Sequence, residues 1–176
     1  MAKERLVIIC PGRGSYTRES SGYLNSKKNI ADQEISWMNN QREATNLPTL
    51  NELDSSTFKS KIHMIGVNAS PLIYACSYVD FFSINKNKYE IVAITGNSMG
   101  WYTTLALSGV LTFQNAFKLI NVMSSLTKDD NGGQIIYPII NENWQIDEST
   151  YSMVLNEIKK VGAYVSINLG GYIVIA

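Results

Sequence analysis

Ile91-Val92-Ala93-Ile94-Thr95-Gly96-Asn97-Ser98-Met99-Gly100-Trp101-Tyr102-Thr103-Thr104-Leu105-Ala106-Leu107 is the stretch whose reading decides the fold. An apolar, β-branched run is followed by Gly-x-Ser-x-Gly and then by a helix-like run, which is the order strand, nucleophile elbow, helix. Gly96 and Gly100 flank the turn because a chain that doubles back so sharply leaves no room for neighbouring side chains. Ser98 would project from the turn in a strained conformation. The following helix would aim free backbone N–H groups, among them that of Met99, at a developing oxyanion.

Working outward toward the amino terminus, Asn85 to Lys88 is a polar turn leading into the elbow strand. Before it, Leu72 to Phe82 is apolar nearly all round and too long for a typical strand, so it reads as a buried helix beginning at Pro71. Residues 20 to 60 are polar and predict one or two surface helices, the clearest from Ala31 to Ala44. Leu6-Val7-Ile8-Ile9-Cys10 is a short apolar run stopped by Pro11 and Gly12, which predicts a strand buried on both faces of a parallel sheet. The turn Pro11-Gly12-Arg13-Gly14-Ser15 falls at the carboxyl end of that strand, where ligands bind in open α/β sheets, although a plain turn reads the same way. Strand, helix, strand, helix implies a right-handed parallel α/β sheet.

Toward the carboxyl terminus, Gly109 ends the elbow helix and Thr112 caps the next, with Phe113, Ala116, Phe117 and Ile120 at helical spacing. Lys128-Asp129-Asp130-Asn131-Gly132-Gly133 is the plainest loop in the chain. Beyond it come a strand from Gln134 to Ile140 and a helix capped by Asp147 and stopped near Gly162. Two further strands, Ala163 to Asn168 and Tyr172 to Ala176, are joined by Leu169-Gly170-Gly171, a hairpin signal. Strand, helix, strand, strand is the first part of a ferredoxin-like unit. The expected domains are an α/β core over 1–127 and a partial ferredoxin-like subdomain over 133–176. The bare apolar strand at the end leads us to expect a truncation, or one piece of a longer polypeptide.

Fifteen basic and fifteen acidic residues cancel, so the balance offers no steering toward nucleic acid or an anionic membrane, and 45% apolar residues permit a sizeable core. The apolar run after the charged amino terminus is too short for a signal peptide or a membrane span. Cys10 and Cys76 read as two buried, reduced thiols, which fits the cytoplasm. No residue pattern speaks to oligomeric state, and none offers a metal site.

Three motifs now fall in order: Cys10-Pro11-Gly12-Arg13-Gly14-Ser15 after the first strand, Ser70-Pro71-Leu72-Ile73-Tyr74-Ala75 opening the buried helix, and Gly96-Asn97-Ser98-Met99-Gly100. Together they resemble the malonyl-CoA:acyl carrier protein transacylases and the acyltransferase domains of fatty-acid and polyketide synthases. The resemblance spans essentially this whole chain but only the amino-terminal half to two thirds of a family member. It implies an α/β-hydrolase-like core with an inserted ferredoxin-like subdomain, and transfer of an acyl group from CoA to the phosphopantetheine of an acyl carrier protein through acyl-Ser98. No tightly bound cofactor is implied; the partners are an acyl-CoA and the carrier protein.

By the same resemblance the backbone N–H groups of Met99 and Arg13 form the oxyanion hole, with Ser70 and Met123 in the acyl pocket. Asn97 replaces the family's histidine, Ser70 its glutamine before the proline, and Arg13 its usual glutamine. Malonyl-selective members carry an arginine where ungapped alignment from Ser98 puts Met123, followed here by Ser124. Lys118 is more than one turn away. A carboxylate left unpaired there costs several kcal/mol, so the expected acyl group is uncharged. The family's catalytic histidine lies beyond the small subdomain; the single His63 precedes Ser98 and reads as a surface or structural residue.

Two other classes share these residues. One is a serine hydrolase, thioesterase or lipase using the same elbow, or a patatin-like dyad with Asp130. The other is a non-catalytic module that docks carrier protein.

Overall fold

The computed structural model describes residues 2–27, 29–126 and 132–176. They form an α/β protein that divides into two compact units, Met1–Asp129 and Asp130–Ala176. Most of the loop expected at 128–133, including Asp130, lies outside the described residues.

In the first unit β1 (Glu4–Cys10) leads through a 3-10 turn at Arg18–Ser20 to four helices: α1 (Tyr23–Ser26), α2 (Asp32–Glu43), α3 (Leu50–Ser55) and α4 (Ser60–His63). Next come α5 (Gly66–Ser83), β2 (Tyr89–Gly96), α6 (Gly100–Leu107) and α7 (Phe113–Ser125). β1 and β2 pair in parallel, with Cys10 opposite Gly96, so the loops leaving both carboxyl ends emerge side by side. α6 packs on both strands, and α5 packs against α6 and α7.

The helix expected from Ala31 to Ala44 is α2, but residues 20 to 60 also supply a layer of the core. Leu24, Ile35, Met38, Leu50 and Leu53 are all buried in the core beneath α5, and Arg42 and Asp54 are buried with them. Their polar neighbours hid this, yet a local signal existed: Thr49 and Glu52 form a reciprocal capping box at the start of α3. Asp54 ties the layer together, its carboxylate accepting from the Tyr16 hydroxyl (2.8 Å) and the backbone N–H groups of Leu24 (3.2 Å) and Asn25 (2.8 Å).

β1 is also not buried on both faces. Ile8 and Cys10 face the core, whereas Val7 and Ile9 on the other face are 53% and 72% exposed. Helices of this unit cover one side of a two-stranded sheet, and a period of two sends alternate residues to each side. Both cysteines are free thiols. Burial pushes the Cys76 thiol up to about 12, and it likewise raises that of Cys10.

The second unit is a three-stranded antiparallel sheet in the order β3 (Ile135–Pro138), β5 (Tyr172–Ile175), β4 (Val165–Asn168), with α8 (Glu148–Val161) between β3 and β4 in sequence. Asp147 caps α8 by accepting from the hydroxyls of Ser149 and Thr150 and from their N–H groups, bonds that together, the hydroxyls first, hold its carboxyl below the usual range. Gly162 ends α8 at φ +72°, the left-handed conformation a helix stop requires. Ile139, Val154, Ile158 and Ile173 form its core.

Candidate active site at the Ser98 turn

Ser98 is an exposed serine at φ +52° in the turn that joins β2 to α6. A non-glycine residue there pays a steric penalty that only the surrounding structure can sustain. The two flanking glycines show how. A Cβ on Gly96 would lie 2.7 Å from the Trp101 nitrogen, and one on Gly100 would lie 2.8 Å from the Cys10 carbonyl carbon and 2.9 Å from the Pro11 oxygen. The elbow is thus locked against the end of β1, and Asn97 N–H donates to the Cys10 carbonyl at 3.1 Å.

The amides at the start of α6 are not equivalent. Gly100 N–H donates to Asn97 O (2.8 Å) and Trp101 N–H to Ser98 O (3.0 Å), so tight turns consume them. Among the described residues no acceptor takes the N–H of Met99. That leaves it for a ligand, at the positive end of a helix.

The first glycine turn packs directly on this elbow. A Cβ on Gly12 would sit 3.6 Å from the Ser98 Cβ, in ordinary contact. Arg13, Ser70, Ser98, Met99, Tyr102, Met123 and Ser124 line one open cavity of about 300 Å³. The sequence-derived residues Arg13, Ser70, Ser98, Met99 and Met123 are therefore brought together from the β1 turn, α5, the elbow and α7. Tyr102 and Ser124 were missed; Tyr102 stands four residues after Ser98, one helical turn on, and that spacing was the available signal. Gly96, Asn97 and Gly100 shape the elbow around it without lining this cavity.

Among the described residues, no carboxylate, imidazole or amine lines the cavity. His63 does not line this cavity, and of the two readings expected of it, surface or structural, the structural one holds. It is 1% exposed, stacks on Phe58 and Tyr16, and bonds through its ring nitrogens to Lys59, Ser56 and Leu53. Lys118 lines a different groove, with Gln41, Arg42 and Asn121. Among the described residues no group of three or more His, Cys, Asp or Glu side chains could hold a metal ion, and no helix is long and apolar enough to cross a membrane.

No family model matches the sequence, and no curated protein does. Solved structures do match. The chain superposes on an acyl carrier protein S-malonyltransferase from Vibrio cholerae with a TM-score of 0.71 at 21% identity, covering 96% of this chain and 54% of that one. A malonyl CoA-acyl carrier protein transacylase from Clostridium perfringens gives 0.70 at 16% identity, over 98% and 53%. The acyl transferase domain of ZmaA gives 0.71 at 16% identity, over 98% and 40%. The chain thus shares the acyltransferase fold and spans about half the length of the transacylase structures it matches.

Proposed function

We propose that Ser98 is the nucleophile of an acyltransferase that moves an acyl group from a CoA thioester to the phosphopantetheine thiol of an acyl carrier protein. The observation that carries this reading is the left-handed Ser98 at the mouth of a cavity, beside the unclaimed Met99 N–H. The shared fold with acyl carrier protein S-malonyltransferases supports the choice of substrates. We read the first unit as an α/β-hydrolase-like core. The second, with β5 central between β3 and β4, is read as part of a ferredoxin-like unit, and the setting as the cytoplasm.

In the first step the Ser98 Oγ attacks the thioester carbonyl carbon and loses its proton to a base, and the carbonyl oxygen becomes an oxyanion held by the N–H groups of Met99 and Arg13. Collapse breaks the C–S bond, and CoA leaves with a proton. The carrier-protein thiol then attacks the ester carbonyl, the C–O bond breaks, and Ser98 regains its proton. Among the described residues, those lining the cavity include no such base. A histidine outside these 176 residues, as the family resemblance implies, would complete the machinery, so the chain alone acylates slowly.

Intact-mass measurement after incubation with malonyl-CoA and acetyl-CoA tests this. Slow or absent acylation of the 176-residue chain is expected, with rapid acylation once a longer chain supplies the histidine. Any adduct must disappear in Ser98→Ala. Adducts on another residue would sink the assignment of Ser98.

The lack of a base among the described residues lining the cavity favours a second reading, a module that docks carrier protein without catalysis. Capture of carrier protein by Ser98→Ala would support it. Binding that depended wholly on Ser98 acylation would count against it.

A further inference from the structure

A second cavity, of about 380 Å³, runs along one edge of β1 rather than over one of its faces. It is lined by the consecutive residues Ile8, Ile9, Cys10 and Pro11. Side chains of a strand point alternately to opposite faces, so a cavity that touches successive residues follows the strand's edge. Among the described residues β1 pairs with β2 alone, which leaves the other edge open. In a parallel pair the N–H and C=O of one residue point to the same edge, and those of the next residue to the other. Glu4 N–H donates to Lys88 O (3.0 Å) and Cys10 O accepts from Asn97 N–H (3.1 Å), so the even-numbered residues of β1 turn toward β2 at both ends of the strand. Val7 and Ile9 therefore turn their backbone groups to the open edge, and among the described residues no loop or turn group bonds to them.

The facing wall is α5, whose Ile73 and Phe81, with Ile84 just past its end, make an apolar floor. Asp80 stands among them as the ionised group of the described residues lining the cavity. The Tyr23 hydroxyl donates to it at 2.6 Å, and among the described residues no cation pairs with it. Lys27 and Lys86 lie over the rings of Tyr23 and Phe81 (5.2 Å and 5.5 Å) without lining the cavity. We propose that the open edge of β1 is a docking site for an extended peptide segment of another polypeptide, which adds a strand beside β1 and sets a lysine or arginine opposite Asp80. Val7 and Ile9 supply the directional backbone bonds. Alternate side chains of the guest strand fall on the apolar floor of α5, and those between them fall beside the exposed side chains of Val7 and Ile9. A bare edge pairs with any strand, so the acidic residue in the groove supplies the selection for a basic one. The groove shares no residue with the Ser98 cavity, and the inference stands apart from the acyl-transfer reading.

Fluorescence anisotropy of the full chain with a labelled synthetic peptide, alternating valine and threonine around one central lysine, tests it. Saturable binding is expected. Methylating alternate backbone nitrogens of the peptide should weaken binding at least about tenfold in one of the two possible patterns, because each methyl removes an edge bond and leaves the side chains intact. Glutamate in place of the lysine should weaken binding about fivefold, and Asp80→Asn should erase that difference. Ile9→Pro takes a donor from the open edge alone and should abolish binding with the urea midpoint nearly unchanged; if that variant does not fold, the methylated peptides decide. Absence of binding overturns the inference. If both methylated patterns bind as well as the parent, the groove is an apolar cavity that pairs with no strand, and the inference is wrong. A chain that sediments as a dimer until Ile9→Pro makes it a monomer assigns the edge to a second copy and overturns it too, as does a lysine preference that survives Asp80→Asn.

Discussion

The Arg42 Nη1 donates at 2.8 Å to the carbonyl of Val67, the acceptor that Pro71 leaves without its helical N–H partner. Pro71 lies inside α5, where a missing amide and a bulky ring ordinarily break a helix. The guanidinium, 1% exposed, also donates to Pro48 O (2.6 Å) and Asn68 Oδ1 (2.6 Å). Burial lowers its pKa to about 10, which still leaves it charged at neutral pH. Arg42→Met would take the donor from three acceptors, one of them on the buried Asn68 side chain, and should cost about 2–3 kcal/mol. Adding Pro71→Ala gives Val67 a backbone donor again, so in urea melts the double variant should recover about 1 kcal/mol relative to additivity. Strict additivity would show that Arg42 does not stand in for the missing amide.

The same pair explains what the sequence could and could not reveal. Leu72 to Phe82 was legible as a buried helix from its uniform apolarity, but α5 begins at Gly66 because a distant arginine repairs the break that Pro71 signals. The α8 caps, Asp147 and Gly162, and the hairpin at Gly170 were legible because each is a local rule. Within residues 20 to 60 the helix α2 was legible, but the burial of Arg42 and Asp54 was not, since it depends on partners up to 38 residues away, such as Tyr16 on Asp54. At the site, the elbow was legible through its glycines, while the grouping of Tyr102, Ser124 and the Arg13 charge in one cavity is a product of packing.

Raised tyrosines make the fold sensitive to alkali, and two of them, Tyr16 and Tyr23, are hydrogen-bonded to carboxylates. Burial, reinforced by the bond to Asp54, raises the pKa of Tyr16, and the bond to Asp80 at 2.6 Å leads the causes that raise Tyr23 to about 12. An unfolded tyrosine titrates near about 10. Above that pH the unfolded chain gives up protons that the native chain keeps, so the stability is intact below about 10 and is lost as pH rises toward about 12. Urea midpoints should fall steeply over that window, and the fall should be shallower in Tyr16→Phe and Tyr23→Phe. Parallel curves for wild type and both variants would refute the linkage.

Thr103 is fully buried on α6, and among the described residues its Oγ1 finds no hydrogen-bond partner. Valine keeps the shape and the branched Cβ while removing the orphaned hydroxyl. Thr103→Val should therefore stabilise the protein by about 1 kcal/mol in chemical denaturation. A loss of stability of that size would reveal a partner for the hydroxyl.

Gly100 and Gly14 belong to the two turns that meet at the site, and they should respond oppositely to the same change. A Cβ at Gly100 meets the backbone of Cys10 and Pro11 inside 3.0 Å, whereas one at Gly14 meets nothing within 4 Å. Gly100→Ala must push the end of β1 away from the elbow, at a cost of about 1–3 kcal/mol or more. Gly14→Ala should leave the thermal midpoint nearly unchanged. Similar melting behaviour for the two variants would mean that the close approach of Gly100 to β1 is not what fixes the elbow.

Ser98 offers the sharpest separation of function from stability. At φ +52° its Cβ opposes the backbone, and replacing it with glycine removes that strain along with the nucleophile. Ser98→Gly should raise stability by about 1 kcal/mol, and Ser98→Val, which adds a branched Cβ in the same conformation, should lower it by a similar amount or more. Both would lose acyl-serine formation on intact-mass measurement. A serine held there for packing alone would show the reverse order, with glycine destabilising through lost contacts. The expected order ties the strain to the placing of a hydroxyl, because an exposed side chain that weakens the fold by its conformation has no structural reason to be there.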